Sequence, residues 1–435
     1  MRLKTLLSAA ALALTPWMVT AQPTQPPHSP LQPATPLGLE EALILGEQAN
    51  PALRSRQAQL AAAQGARTDA NALFYNNPQL ALEGTRREVP QAGLSDERRK
   101  EWSTGLSQTL EIAGQQGYRR SATAAALTAL QAEVEDLRRQ VRSGVAQQFY
   151  RVLALQQRLQ LEAQAVQLFD STAAAVQKRR AAGEDTKLDA NVTAVEAERA
   201  RNQLAQVDEQ LMEARGELAE KIQLPPEHIA VVAGDLAAMA GASPYDLDTL
   251  LARVLDQPRL IATAAREDSA RARLKLEQSS RYPDVTLGVN VGREGPSMGR
   301  ERLTTLTVSL PLPLFKRNAA AIGQATTELS QAEIDRGAAI RDVQAQVRVL
   351  WFKLDSLKRR VARLRDVVLP ALADNQRLSL KSQRAGEIGL LELIVFNRQA
   401  LDARRDLIEA LTDLQTTRLT LEMAAGWQST QGTQP

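Results

Sequence analysis

Little in this chain could do covalent chemistry. Its 435 residues hold no cysteine and two histidines. His28 and His228 both lie in Pro-rich stretches, beside no nucleophile motif. Without cysteine there is no disulfide, thiolate metal site, Cys nucleophile or lipidated anchor. Met212, Met239, Met298 and Met423 are scattered, and no phosphate loop is present. The sequence therefore points away from an enzyme and from any resident metal or cofactor. What remains is a set of acids beside two breaks, Ala182-Gly183-Glu184 and Ala385-Gly386-Glu387. Asp189 follows the first break and Glu392 the second. Thr186-x-x-Asp189 is close to a capping box, and acids favour the first turn of a helix. Gly183 and Gly386 suit helix C-caps. Arg179, Arg180 and Lys187 flank the first break, placed either to pair with Glu184 or Asp185 or to be solvated.

The elements that carry these breaks are long helices. Aromatic residues are 3% of the chain, while Ala, Gln, Leu and Arg dominate, a mix that favours extended helices over a bulky globular core. From Gly117 to Ala182 there is no proline and one glycine, Gly144, which predicts a helix about 100 Å long. A return helix over Thr186–Ile222 follows. The second half repeats the plan: Asn318–Ala385 with a kink expected at Pro370, then Leu390–Trp427. Ile340, Val343, Val347, Leu350, Leu354, Leu357, Val361, Leu364 and Val368 keep spacings of three and four, a coiled-coil seam. The corresponding first-half positions are mostly apolar, with Gln148 and Glu162 as exceptions. Landmarks recur at a near-constant offset: Pro51 with Pro258, Pro78 with Pro283, Phe149-Tyr150 with Trp351-Phe352, and the two Ala-Gly-Glu breaks. This reads as an internal two-fold repeat, 39–224 and 245–427, joined by a linker over 225–244 and flanked by a Pro-rich arm, 22–38, and a polar tail, 428–435.

Each half also carries a hairpin. In Asp284–Gly292, Val285, Leu287, Val289 and Val291 alternate with small or polar residues. Leu306, Val308, Leu310, Leu312 and Leu314 do the same in Thr305–Leu314. Leu80 and Leu82, then Trp102, Leu106, Leu110 and Ile112, repeat the pattern over 78–112. Period-two alternation puts the aliphatic side chains on one face. A single hairpin of this kind fits a soluble core face, and four such strands fit a lipid-facing wall. Met1–Ala21 has the basic start, short apolar run and small-residue end of an export signal. No later segment has about 18 consecutive apolar residues, so a membrane span would have to be β. Four strands cannot close a barrel, and open edges are not tolerated in hydrocarbon. The expected fold is thus a mixed α/β membrane protein, with four strands per protomer in an oligomeric β-barrel continued by an α-helical coiled-coil barrel. The formal charge of +3 gives no reason to expect a nucleic-acid partner.

The export signal, the duplicated helix–hairpin–long helix–return helix plan and the Ala-Gly-Glu breaks resemble the TolC-type outer-membrane efflux channel family, over about Leu39–Trp427. Asn76-Asn77-Pro78-Gln79-Leu80 and Ser107-Gln108-Thr109-Leu110-Glu111-Ile112-Ala113-Gly114 are most similar to its heavy-metal, CzcC-like branch. The resemblance implies a homotrimer with a twelve-stranded barrel in outer-membrane lipid and a helical tunnel through the periplasm. It implies docking to a periplasmic adaptor and an inner-membrane proton-driven pump, the channel itself being passive. It places gate acids at Asp189 and Glu392 and adaptor-docking turns at Gly183, Glu184, Gly386 and Glu387. A further gate acid of the family is absent, Val395 standing in its place. Alternatives left open are an exported coiled-coil adaptor or structural protein, and a duct for drugs or for protein secretion.

Overall fold

The computed structural model of the chain describes residues 36–90, 92–93, 96–237, 244–295, 299–384 and 388–427. The export signal, most of the Pro-rich arm and the tail lie outside them. The arm's last residues are not free: β1 (Leu37–Gly38) pairs in parallel with β4 (Val232–Ala233), and Leu37 is buried. The expected linker is likewise anchored, with Ile229, Val232 and Leu236 buried in the main core.

Helices dominate. α1 (Leu39–Ala49) is followed by α2 (Pro51–Ala70), where Asn50 accepts from the Leu53 amide and Pro51 opens the helix, a combination suited to a start because the proline's missing N–H would be unpaired there anyway. α3 (Gln115–Ala181) runs 67 residues without interruption, about 100 Å. α4 (Lys187–Ile222) folds back along it. α5 (Leu247–Arg253) and α6 (Pro258–Ser279) come next, and α6 packs on both α3 and α7 (Ala319–Arg363). A π-turn, Leu364–Val368, joins α7 to α8 (Leu369–Arg384), and α9 (Leu390–Ala424) returns along α7 and α8. The single kinked helix expected around Pro370 is thus two helices with a π-turn between them. Pro370 has no N–H to give to the Asp366 carbonyl. The ladder instead widens one turn earlier, the Leu369 amide donating to the Leu364 carbonyl five residues back.

The heptad seam is the core. Val343, Val347, Leu354, Leu357 and Val361 are buried against Val145, Phe149, Val152, Leu211, Leu218 and Leu414. Both polar exceptions in the first half are buried too, and both are satisfied. Gln148 donates Nε2–H to the Ala214 carbonyl at 2.9 Å. Glu162, fully buried, accepts from Arg158 at 2.8 Å and from Arg405 at 2.9 Å. Polar groups in an apolar seam cost free energy unless paired; here each one ties neighbouring helices together.

The four remaining strands, β2 (Gln79–Val89), β3 (Glu97–Leu110), β5 (Val285–Glu294) and β6 (Glu301–Ser309), form one antiparallel sheet in the order β2-β3-β5-β6. Its register aligns Leu80, Leu106, Val289 and Leu306 in one row across all four strands. The next row on that face is Leu82, Thr104, Val291 and Thr304. The other face carries Gln79, Ser107, Gly288 and Thr307, then Ala81, Gly105, Asn290 and Thr305. A one-residue slip would invert every row, so four strands in phase fix one apolar and one polar face. On the polar side the Asn290 side chain fills the space over Gly105, where an added Cβ would lie 1.7 Å from its Oδ1 and force that side chain to move. The apolar side has no protein packed over it: Leu306 is 75% exposed and Leu82 74%. β6 ends at Ser309 rather than continuing to Leu314, since Pro311 and Pro313 cannot donate to a ladder.

Candidate functional site

Far from the sheet, α3 ends in a turn whose every backbone bond has a sequence cause. Gly183 has φ +84°, a conformation that side chains with a Cβ rarely adopt. Its amide donates to the Arg180 carbonyl at 3.0 Å, and the Glu184 amide to Arg179 at 2.9 Å. These paired bonds form a Schellman end. Arg179 Nε meets Asp185 Oδ2 at 2.7 Å, so the turn is closed by its own ion pair. Glu184 is exposed.

α4 then starts with a full capping box. Asp189 N–H donates to Thr186 Oγ1 at 3.1 Å, while Asp189 Oδ2 accepts from the Thr186 hydroxyl at 2.6 Å and the Thr186 amide at 3.1 Å. The hydroxyl and amide of Thr186 hold the Asp189 carboxyl below its ordinary pKa, so it is anionic at neutral pH. Glu392 is different. It also occupies the third position of its helix, but the residue at the cap is Gly389, which offers no side chain. Glu392 is exposed at the first turn of α9. The structure thus brings Gly183, Glu184 and Asp189 into one turn and puts Glu392 on the other return helix. Gly386 and Glu387 lie outside the described residues.

Just beyond the turns, two ion pairs join helices distant in sequence. Arg398 of α9 clamps buried Glu196 of α4 with both Nε and a terminal nitrogen, the former at 2.8 Å. Further along, Arg405 of α9 and Arg158 hold Glu162 of α3. Burial raises the Glu162 pKa, but the hydrogen bonds from Arg405 and Arg158 outweigh it and keep the carboxyl below its ordinary value. Sequence reasoning missed the Glu196–Arg398 pair. Glu162 did leave a signal, an acid on an apolar seam with an arginine four residues earlier.

At the opposite end of the molecule, past Trp102, the sheet changes character. The polar face brings Glu294 opposite Glu301, with Glu101 on the neighbouring strand. Glu101 is buried and paired to Arg87 at 3.2 Å. Among the described residues no group of three or more His, Asp or Glu side chains is placed to hold a metal ion, and no helix is long and apolar enough to cross a membrane.

A sheet with an exposed aliphatic face, set on helices about 100 Å long, is a build that suits an outer-membrane channel. The chain belongs to the outer membrane efflux protein family, whose profile matches residues 45–222 and 252–427. It sits in the outer membrane, with its helical part in the periplasm. It is similar to the cobalt-zinc-cadmium resistance protein CzcC of Cupriavidus metallidurans, 25% identical over 387 residues, 88% of this chain and 87% of that one. Its fold matches the crystal structure of CusC with a TM-score of 0.74 at 17% identity, over 90% of this chain and 92% of that one. It matches the outer membrane protein VceC of Vibrio cholerae with a TM-score of 0.74 at 18% identity, over 89% and 96%. Membership in this family sets aside the reading as an exported adaptor or structural protein.

Proposed function

We propose that this chain is the outer-membrane duct of a tripartite efflux system and that it passes divalent heavy-metal cations. The observation that carries the duct is the exposed aliphatic row Leu80, Leu106, Val289 and Leu306 on a sheet with two open edges, β2 and β6. In hydrocarbon those edges must pair, so β6 of one copy joins β2 of the next, and three copies close a twelve-stranded barrel. The two halves, 39–224 and 245–427, act as a structural repeat, each contributing one hairpin and one helical pair. The family's working arrangement supplies the remaining partners: a periplasmic adaptor seated on the turns at Gly183, Glu184, Gly386 and Glu387, and an inner-membrane proton-driven pump. The channel is passive.

Two features favour a cationic substrate. The similar protein CzcC is named for cobalt, zinc and cadmium resistance. The polar, lumen-facing side of the sheet sets Glu294 opposite Glu301, with Glu101 beside them held by Arg87, and rings of carboxylate draw cations and repel anions. At the tunnel end, Asp189 and Glu392 would add two acidic rings. Asp189 combines capping with charge, whereas Glu392, with no side chain capping its helix, is the freer of the two to meet an ion. Selectivity among metals falls to the pump. The test is deletion of the protein in its host, with growth scored against Zn, Co and Cd salts and against hydrophobic drugs. Lost tolerance to the metals alone is expected. Unchanged metal tolerance with the partner pump present would sink the metal assignment, and lost drug tolerance would replace it.

A further inference from the structure

The two faces of the sheet are charged differently at the loop end: cations dominate the outward face, while acids and arginines pair on the inward one. On the apolar, outward side the register sets Arg293 opposite Arg302 and Arg86 opposite Lys100, followed by Arg98 opposite Glu88. Five cations therefore face one acid, while the inward side at the same height is mixed: Glu101, Glu294 and Glu301, then Arg87 opposite Arg99, with Glu97 beyond. Glu88 sits 3.0 Å from Arg98 and 3.7 Å from Arg86. Lys100, Arg293 and Arg302 have no acidic partner among the described residues, and all are exposed. Like charges directly opposed across strands repel, and this wall contains two such pairs on one side. Glu88 reaches only Arg86 of these four, and nothing described in the chain neutralises Lys100, Arg293 or Arg302, so an external anion is the simplest counter-charge.

Depth identifies the anion. Trp102 lies in the same outward row as Arg293 and Arg302, and Trp marks the level where headgroups meet acyl chains. The aliphatic rows lie between this level and the periplasmic helices, so the cations stand at the outer leaflet. Guanidinium groups match the oxygens of a phosphate in a forked geometry that an ammonium lacks. We propose that Arg86, Lys100, Arg293 and Arg302 form an outward-facing girdle that binds the phosphates of phosphorylated lipids in the outer leaflet. One phosphate bridges Arg293 and Arg302, and a second bridges Arg86 and Lys100. The proposal rests on the closed-barrel reading.

The experiment uses the purified oligomer in detergent, mixed with bisphosphorylated lipid A or with the same lipid stripped of phosphate, and counts bound lipid by native mass spectrometry. The wild type is expected to prefer the phosphorylated form by roughly tenfold, and the quadruple Gln variant of the four cations to show no preference. R293K/R302K keeps the charge but loses the fork, and is expected to lower the preference roughly threefold without abolishing it. Equal binding of both lipids by the wild type overturns the girdle. Displacement of the lipid by millimolar inorganic phosphate also overturns it, marking a site for free anions. Should the quadruple variant fail to assemble, R302Q alone, at an exposed edge-strand position, is expected to lower the preference roughly threefold. A wild type that needs no detergent and runs as a monomer would instead strike at the barrel itself.

Discussion

Replacing Glu162 by Gln decides between two opposing effects at the buried pair linking α3 to α9. The substitution keeps the shape and removes the charge. It relieves the cost of burying a carboxylate, and replacing a whole buried ion pair by apolar groups is often neutral or even stabilising by about 1–4 kcal/mol. It also strips two guanidinium groups of a charged acceptor, at about 1.5–3 kcal/mol for each such hydrogen bond. The lowered pKa of Glu162 shows which effect wins in the folded chain: the bonds from Arg405 and Arg158 outweigh burial. The net loss is reduced because the two arginine side chains keep 25% and 27% exposure and Arg405 retains Asp402 at 2.8 Å. E162Q should therefore cost about 2 kcal/mol. Local opening should speed by about 30-fold, read by hydrogen exchange in peptides spanning 158–165 and 402–408. The double variant with R405Q should cost less than the sum of the singles by about 1–2 kcal/mol. The pH sense follows from the depressed pKa: the contribution is complete above the ordinary carboxylate range and is lost as pH falls through the lower folded value. Exchange in E162Q equal to or slower than wild type would refute the reasoning.

Three further outcomes follow from the geometry. L306R sets a charge at the centre of the outward face and should cost about 2–4 kcal/mol of membrane stability, seen as lost oligomer in outer-membrane fractions, whereas T307R on the opposite face should assemble and change single-channel conductance. G183A forces a Cβ into a left-handed conformation and should destabilise the tip by about 1 kcal/mol, measured as faster exchange of the Gly183 and Glu184 amides, with G183N milder. T186A removes the cap of α4 and should raise exchange in its first turn by roughly fivefold; in the wild type the carboxylate half of the box should survive mild acid, because the Asp189 carboxyl titrates below its ordinary range and its bonds to Thr186 weaken only as pH falls through that lower value.

Periodic features of the chain were readable in advance because periodicity encodes a face directly. The seam from Ile340 to Val361 and the alternation in Val285–Val291 each predicted which side chains would share a side. Turn chemistry was readable for the same local reason: Thr186 and Asp189 are three residues apart, and Gly183 stands where a left-handed residue is required. Long-range facts were not. The pairing of β3 with β5 joins strands from opposite halves of the chain. Glu196 and Arg398 meet across 202 residues with no local mark on either. The alternation also overran the strand at Leu310–Leu314, since period two persists past prolines that the ladder cannot use. Pro370 announced an interruption, but the form it took, a widened turn ahead of the proline, depends on how the surrounding backbone bonds close.

That widened turn makes the two helical struts mechanically unlike. α3 keeps α pitch for all 67 residues and so displaces as a single rod: a push at its tip is felt at the sheet. α7 and α8 are separated by five residues of π pitch. One residue taken into or out of such a turn rotates everything below it by about 100° about its own axis, while the seam from Ile340 to Val361 stays engaged. The second strut thus contains a swivel, and the half of the tip that carries Glu392 hangs below it.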